Sequence, residues 1–375
     1  MELSPEQEAI RETVREFAEA EIRPTAREAD ETETFPEAVW DGLADIGVTA
    51  MTVPEAYGGL DVEGLTYALV NEEVAYGQLA VATALSVHCL ATSCIAEFGD
   101  ERQKDRWLPE MVDGRPVGAF ALSEPHAGSN PAEMSTEARK EGDEYVINGT
   151  KQWITNGERS GVVVLFAKTD RDDPRTVTQF VVPKDADGLE VGKKEEKLGL
   201  RASDTTTLVF DDVRIPESYR LTEEGRGLSA ALSILTGGRV GIAAQSVGLA
   251  QSALDLAVEY AGEREQFGDP IADIQSIRQK LAEMHAKTQA GRMLTYEAAR
   301  GLDEGSPPSM AASTAKYFAS EAAMDVTNEA VQVHGGYGYT TDFPVERLYR
   351  DAKITTIYEG TTQIQKKVIA RELLD

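Results

Sequence analysis

"EYVINGTKQWITNGE", residues 144–158, decides the fold. Its Tyr, Val, Ile and Trp are strand formers, and Asn148-Gly149 favours a two-residue hairpin turn. The spacing predicts two strands joined at that pair. Downstream, "SGVVVLFAKT", "TQFVVPKD" and "TTTLVFDDVRIP" continue as short strands separated by turn residues. The expectation is a compact antiparallel β-domain over 118–228.

On either side the periodicity changes from two to about four. Residues 1–117 read as helices. Ser4 is an expected N-cap, Pro5 stands at the first helical position, and Gln7 completes a capping box. Ile10, Val14 and Phe17 then share one face. "FPEAVWDGLADIG" repeats the pattern and stops at Gly47. Residues 229–375 carry longer helical patterns, interrupted at "SPPS", 306–309. A last helix is expected near Thr362, with Thr362 and Gln365 as its capping box. The fold class is therefore α+β: an N-terminal α-helical domain, a middle β-domain and a C-terminal four-helix bundle.

Composition narrows the function. Lys plus Arg number 37 against 65 Asp plus Glu, a net charge of −28. Binding to nucleic acid or to an anionic membrane surface needs clustered positive charge, so neither partner is expected. So acidic a surface strains the compact state unless salt screens it, which points to a salt-rich cytoplasm and a halophilic source, with an ordinary acidic mesophilic protein as the alternative. Cys89 and Cys94 match no zinc or redox spacing and read as buried free thiols in a reducing compartment. His88, His126, His285 and His334 are scattered without metal-ligand spacing, so no metal is expected. "LAVATALSVHCLATSCIA", 79–96, is apolar but diluted by Thr, Ser and His, and reads as a buried helix rather than a membrane span. The N-terminus has no signal-peptide apolar stretch, and a cytoplasmic location is expected.

Nucleotide signatures are lacking: no G-x-G-x-x-G follows a strand, and "GLEVGKK" does not complete a P-loop. Three other segments carry chemistry. "FALSEPHAGSN", 120–130, is a tight loop offering hydroxyls and backbone N–H groups to a flat ring or to phosphate. "QWITNG", 152–157, sets an aromatic residue and a threonine on a strand edge. "QVHGGYGYTTDFPVERLYRD" and "IYEGTTQIQ" place glycine pairs, which permit close backbone approach, beside a lone glutamate, Glu359.

Together these segments resemble the acyl-CoA dehydrogenase family, of the short- or medium-chain straight-chain type. "EYAGEREQFGDPIADIQ" and "KLGLRASDTTTLVFDDVRIP" are similar to family segments as well, so the likeness spans the whole chain. It implies FAD-dependent oxidation of acyl-CoA thioesters to trans-2-enoyl-CoA. Glu359 is then the base that takes the α-proton, with hydride passing to flavin N5. The carboxyl is pulled two ways, upward in pKa by burial and downward by a following helix N-terminus. Gly360 gives the base its turn and makes room for substrate. In the segment "LTGGRVGIA", where some relatives carry their base, this chain has Gly238. Arg239 resembles a residue lining the CoA end of the site.

The resemblance also implies the cofactor contacts. Phe120, Leu122, Ser123 and Ser129 border the isoalloxazine, with Ser129 also near CoA. Trp153 packs against the ring, and Ile154 and Thr155 line its edge. Thr361 and Gln363 meet the cofactor near the last helix. Arg264, Phe267, Gln275, Gln332, Gly335 and Gly336 reach the FAD of a neighbouring subunit, which implies a homo-oligomer, a tetramer built as a dimer of dimers. Electron-transfer flavoprotein is the implied electron acceptor. Asn130 departs from the family pattern, which has Asp there. The alternatives are an acyl-CoA oxidase of the same fold and a non-catalytic acyl-CoA- or FAD-binding assembly factor.

Overall fold

A computed structural model describes residues 3–304 and 309–374. The N-terminal part holds α1 (Pro5–Phe17), α2 (Arg23–Glu31), α3 (Glu37–Asp45), α4 (Gly64–Gly77), α5 (Leu79–Phe98) and α6 (Glu101–Met111). The expected capping box opens α1: Ser4 Oγ accepts from the Gln7 N–H, and the Gln7 side chain accepts from the Ser4 N–H. Gly47 turns the chain after α3 in the left-handed region, φ 78°. A glycine takes that conformation without Cβ strain.

Helix α5 is sheathed by protein, with most of its residues buried. A second long apolar helix, α7 (Gly227–Glu263), is also mostly buried. Cys89 and Cys94 lie buried and unpaired within α5.

The middle part carries β1 (Gly118–Ala121), β2 (Glu137–Glu141), β3 (Glu144–Ile154), β4 (Val162–Lys168), β5 (Val177–Pro183), β6 (Leu189–Lys194) and β7 (Thr206–Pro216). They form one sheet in the order β1-β4-β2-β3-β7-β6, with β5 on β4. The sheet is mixed rather than wholly antiparallel, because β4 runs parallel to both β1 and β2. The Asn148-Gly149 hairpin is not formed. Strand β3 runs through that pair, and the register against β7 slips there as a bulge. The two-residue turn lies instead at Gly142-Asp143, between Glu141 and Glu144.

The C-terminal part follows α7 with a small hairpin, β8 (Glu265–Gln266) and β9 (Asp269–Pro270), then α8 (Gln275–Asp303), α9 (Ser309–His334), α10 (Val345–Thr355) and α11 (Thr362–Leu374). The expected break at 306–308 lies outside the described residues. Alanines hold α7, α8 and α9 close: Ala243, Ala244, Ala299, Ala312, Ala315 and Ala319 share one core cluster with Leu65 and Leu69 of α4. Short side chains allow such close helix approach. The capping box expected at Thr362 also forms differently. Thr361 Oγ1 accepts the Ile364 N–H at 3.3 Å, whereas the Gln365 amide donates back to Gly360 O at 2.8 Å.

Candidate functional site

The segment between α10 and α11 turns sharply at Tyr358, Glu359 and Gly360. Glu359 has φ 52° and Gly360 φ 92°, so the turn is made by two consecutive left-handed residues. For a glutamate this conformation is sparsely populated, and surrounding structure must hold it. Gly360 O receives two donors, Gln365 Nε2 at 2.8 Å and Lys316 Nζ at 2.7 Å. Those bonds fix the turn to α11 and to α9.

Glu359 is half-buried as a residue, yet its Oε2 is sealed from solvent and has no hydrogen-bond partner. Burial pushes its pKa up to about 7, and the cations Lys316 and Arg239 restrain the rise. The balance left open by the sequence thus falls on the side of burial. A carboxyl poised near neutrality and free to accept a proton suits a general base.

Glycine keeps room beside it. A Cβ on Gly238 would come 3.2 Å from Glu359 Oε2 and 3.3 Å from Leu90, so position 238 faces the carboxylate across a narrow gap. A Cβ on Gly237 would meet nothing within 4 Å. Arg239, beside them, is buried, with its Nε unpartnered. Tyr67 of α4 and Tyr358 also face this volume. Their hydroxyls are held protonated, burial driving both pKa values up.

The flavin-loop candidates gather at the end of β1 and the end of β3. Phe120 is half-buried, its ring 4.8 Å from Phe166. Leu122 and Ser123 are tied to β3 through Lys151 Nζ donating to Leu122 O at 3.1 Å and Gln152 N–H donating to Ser123 O at 3.0 Å. Ser129 stands exposed on the loop. Trp153 is 53% exposed with φ 60°, and Gly128 lies against its indole. An exposed indole on a strained backbone is otherwise hard to account for in a β-domain. Thr155 is half-buried next to it. Ile154 is buried, in one core cluster with Ala119, Ala121 and Leu208. Asn156, also left-handed at φ 60°, locks this strand end by donating to Ala84 O at 2.9 Å and Gly118 O at 3.1 Å. Asn130 is exposed and donates to Glu133 Oε1 at 2.9 Å, a bond that an aspartate could not supply.

Two buried residues missed in the sequence set this loop. Glu124 accepts from the Ser135 and Thr136 N–H groups at 2.7 and 3.0 Å and from Lys151 Nζ at 2.8 Å. Against the cost of burial, the Lys151 charge and these bonds hold its pKa at about 2.

A second surface lies apart from Glu359. Arg264, Gly335 and Gly336 line a cleft of about 580 Å³ with Tyr260, His334 and Tyr337. The Arg264 guanidinium sits 5.7 Å over the Tyr337 ring. Cβ atoms on Gly335 and Gly336 would meet nothing within 4 Å, so the backbone there is open to a ligand. Phe267, at the tip of the β8–β9 hairpin, is 97% exposed. Gln275 opens α8, and Gln332 lies near the end of α9; both are exposed. Thr361 is half-buried and Gln363 exposed at the start of α11.

FAD needs an aromatic face and N–H donors for its ring and cations with bare backbone for its diphosphate. The Trp153 surface with the 122–130 loop meets the first need. The Arg264 cleft, lined by Gly335 and Gly336 and without Glu359, meets the second. Among the described residues no group of three metal-ligating side chains is found.

Comparison with known proteins covers the chain end to end. Family models described as acyl-CoA dehydrogenase N-terminal, middle and C-terminal domains match residues 4–115, 119–213 and 225–374. The mitochondrial short-chain specific acyl-CoA dehydrogenase of Rattus norvegicus is 43% identical, over 100% of this chain and 91% of its own length. Among solved structures, butyryl-CoA dehydrogenase from Megasphaera elsdenii superposes with TM-score 0.97 at 41% identity, covering 100% of both chains. A chain from a structure of the electron transferring flavoprotein of Acidaminococcus fermentans gives TM-score 0.98 at 41% identity, covering 100% of this chain and 99% of that one. Glutaryl-CoA dehydrogenase from Mycobacterium smegmatis in complex with FADH2 gives 0.94 at 33%, covering 99% and 95%.

Proposed function

Because the chain belongs to the acyl-CoA dehydrogenase family, we propose that it desaturates short straight-chain acyl-CoA thioesters between carbons 2 and 3, with Glu359 as the base. It is an oxidoreductase acting on a CH–CH bond and an FAD flavoprotein. The observation that carries the residue assignment is the sealed, unpartnered Oε2 of Glu359 facing Gly238 of α7.

Glu359 takes the α-proton, and the electron pair left on carbon 2 becomes the new double bond. Bound FAD supplies the acceptor for the hydride that leaves carbon 3. The backbone N–H of Glu359 is the donor we assign to the thioester oxygen, where negative charge grows as the proton departs. Tyr67, Tyr358 and Leu90 keep water from the carboxylate, which preserves its basicity and the reach of nearby charges. Trp153, Phe120 and the 122–130 loop hold the ring of FAD. Arg264, Phe267 and the Gly335-Gly336 backbone hold the distal part of a second subunit's FAD. That division makes a homo-oligomer part of the proposal, and the acidic composition suggests a salt-rich cytoplasm as its setting. Electron-transfer flavoprotein is the proposed acceptor of the electrons, supported by the neighbour from that structure.

Glu359→Gln tests the assignment. The variant is expected to bind FAD and butyryl-CoA normally and to turn over at least ~10²-fold more slowly, the lower end for a general base. Near-normal turnover would remove Glu359 from the role. Flavin bleaching by acyl-CoA under anaerobic conditions, with little peroxide in air, separates this reading from an oxidase.

A further inference from the structure

We propose that Lys316 is a positioning residue for the base: its ammonium pins the turn that carries Glu359 and keeps the neighbouring carboxylate ionised. This rests on the assignment of Glu359 above.

Lys316 lies in the alanine-rich first half of α9 and is wholly buried. An unpaired ammonium in such a place is unfavourable, so its retention calls for a partner. Among the described residues its one hydrogen-bond acceptor is Gly360 O, at 2.7 Å. That carbonyl follows Glu359 directly and already takes the Gln365 amide. A neutral donor would satisfy the carbonyl equally well. What a lysine adds is charge, and the carboxylate it acts on most strongly is Glu359. Burial lowers the Lys316 pKa to about 8, and Glu359 opposes that fall. The bond therefore joins the strained turn, φ 52° at Glu359, to the rigid bundle, while the charge works on the carboxylate itself.

Other groups face the same volume. Arg239 of α7 is the second cation acting on Glu359. Tyr67 of α4 and Tyr358 are neutral phenols over the working range. Glu321 of α9 acts on Lys316, and Arg371 of α11 on Arg239. Lys316 is the group that combines charge with a hydrogen bond to the turn.

The test compares kcat/KM against pH for Lys316→Met, Lys316→Gln and Lys316→Arg. Loss of the cation should move the acid limb upward by about one pH unit in Met and Gln. That means ~10-fold lower kcat/KM below the midpoint, with the curves converging at alkaline pH. Lys316→Arg should keep the limb of the parent. The loss should fall on kcat, with KM little changed. An unshifted limb in a folded, FAD-loaded Met variant overturns the proposal, as does a loss that is equal at every pH. If the Met and Gln variants do not fold, the coupling is read from its other end. The Lys316 ¹³Cε resonance, assigned by its loss in Lys316→Arg, is titrated in the parent and in Glu359→Gln. Coupling between sites is reciprocal, so its midpoint should fall in Glu359→Gln. An unchanged midpoint overturns the proposal. If Glu359→Gln itself kept normal turnover, the base assignment would fail, while this titration would still report whether the two groups are coupled.

Discussion

At the scale of the residue, the carboxylate of Glu359 is held in a state that stability alone would not select. Its folded pKa, near 7, lies above that of an unfolded glutamate. The native state thus binds this proton more tightly than the unfolded chain does. The effect on stability is absent at pH 4 and becomes a growing penalty as pH rises to about 7, where it levels off. Two outcomes follow. In the parent enzyme kcat/KM should climb through an acid limb near pH 7, as the base must be ionised. In Glu359→Gln the penalty is lifted, worth about 3 kcal/mol at pH 8, so calorimetry should show Tm up by ~4 °C there and unchanged at pH 4. Glu359 stood out in the sequence as the candidate base because its motif is local. Lys316 was not. A lysine in "STAKYFASEAA" reads as a solvated helix charge, and only the packing of α9 against the 358–361 turn shows otherwise.

The elements repeat that contrast. Helices and strands were readable from period, and α1 starts at its expected cap. Asn148-Gly149 misled because glycine there serves a different need. A Cβ on Gly149 would come 2.5 Å from Thr136 Oγ1, so the residue permits close passage of a neighbouring chain and leaves the turn to Gly142. Turn propensity cannot distinguish the two uses, since contact with Thr136 is not encoded locally. The loop 122–136 likewise depends on a partner from another strand, Lys151, whose ammonium and Glu124 are both buried. Removing one member of such a pair strands the other charge, at about 3–5 kcal/mol. Lys151→Met is therefore expected to lower thermal stability and to release FAD, seen as loss of yellow colour on gel filtration. The double variant Lys151→Met/Glu124→Leu should recover part of the stability.

For the molecule as a whole, charge and association dominate. A net charge of −28 on 375 residues makes self-repulsion a global term, which composition alone reveals. At ~0.1 M salt the screening length is about 10 Å, falling to about 3 Å at 1 M. Raising KCl across that range should raise Tm, and a flat response would refute the halophilic reading. What composition cannot reveal is which surfaces meet. Phe267 stands almost wholly exposed, and the Arg264 cleft is separate from the Glu359 turn of the same chain. If two subunits complete each FAD site, as proposed above, the arrangement carries a genetic signature: two defective alleles can rescue each other. Glu359→Gln chains and Arg264→Ala chains, each inactive alone, would pair into hybrids in which both lesions fall on one centre and neither on the other. Random mixing should therefore return about one quarter of full activity from parents that have almost none.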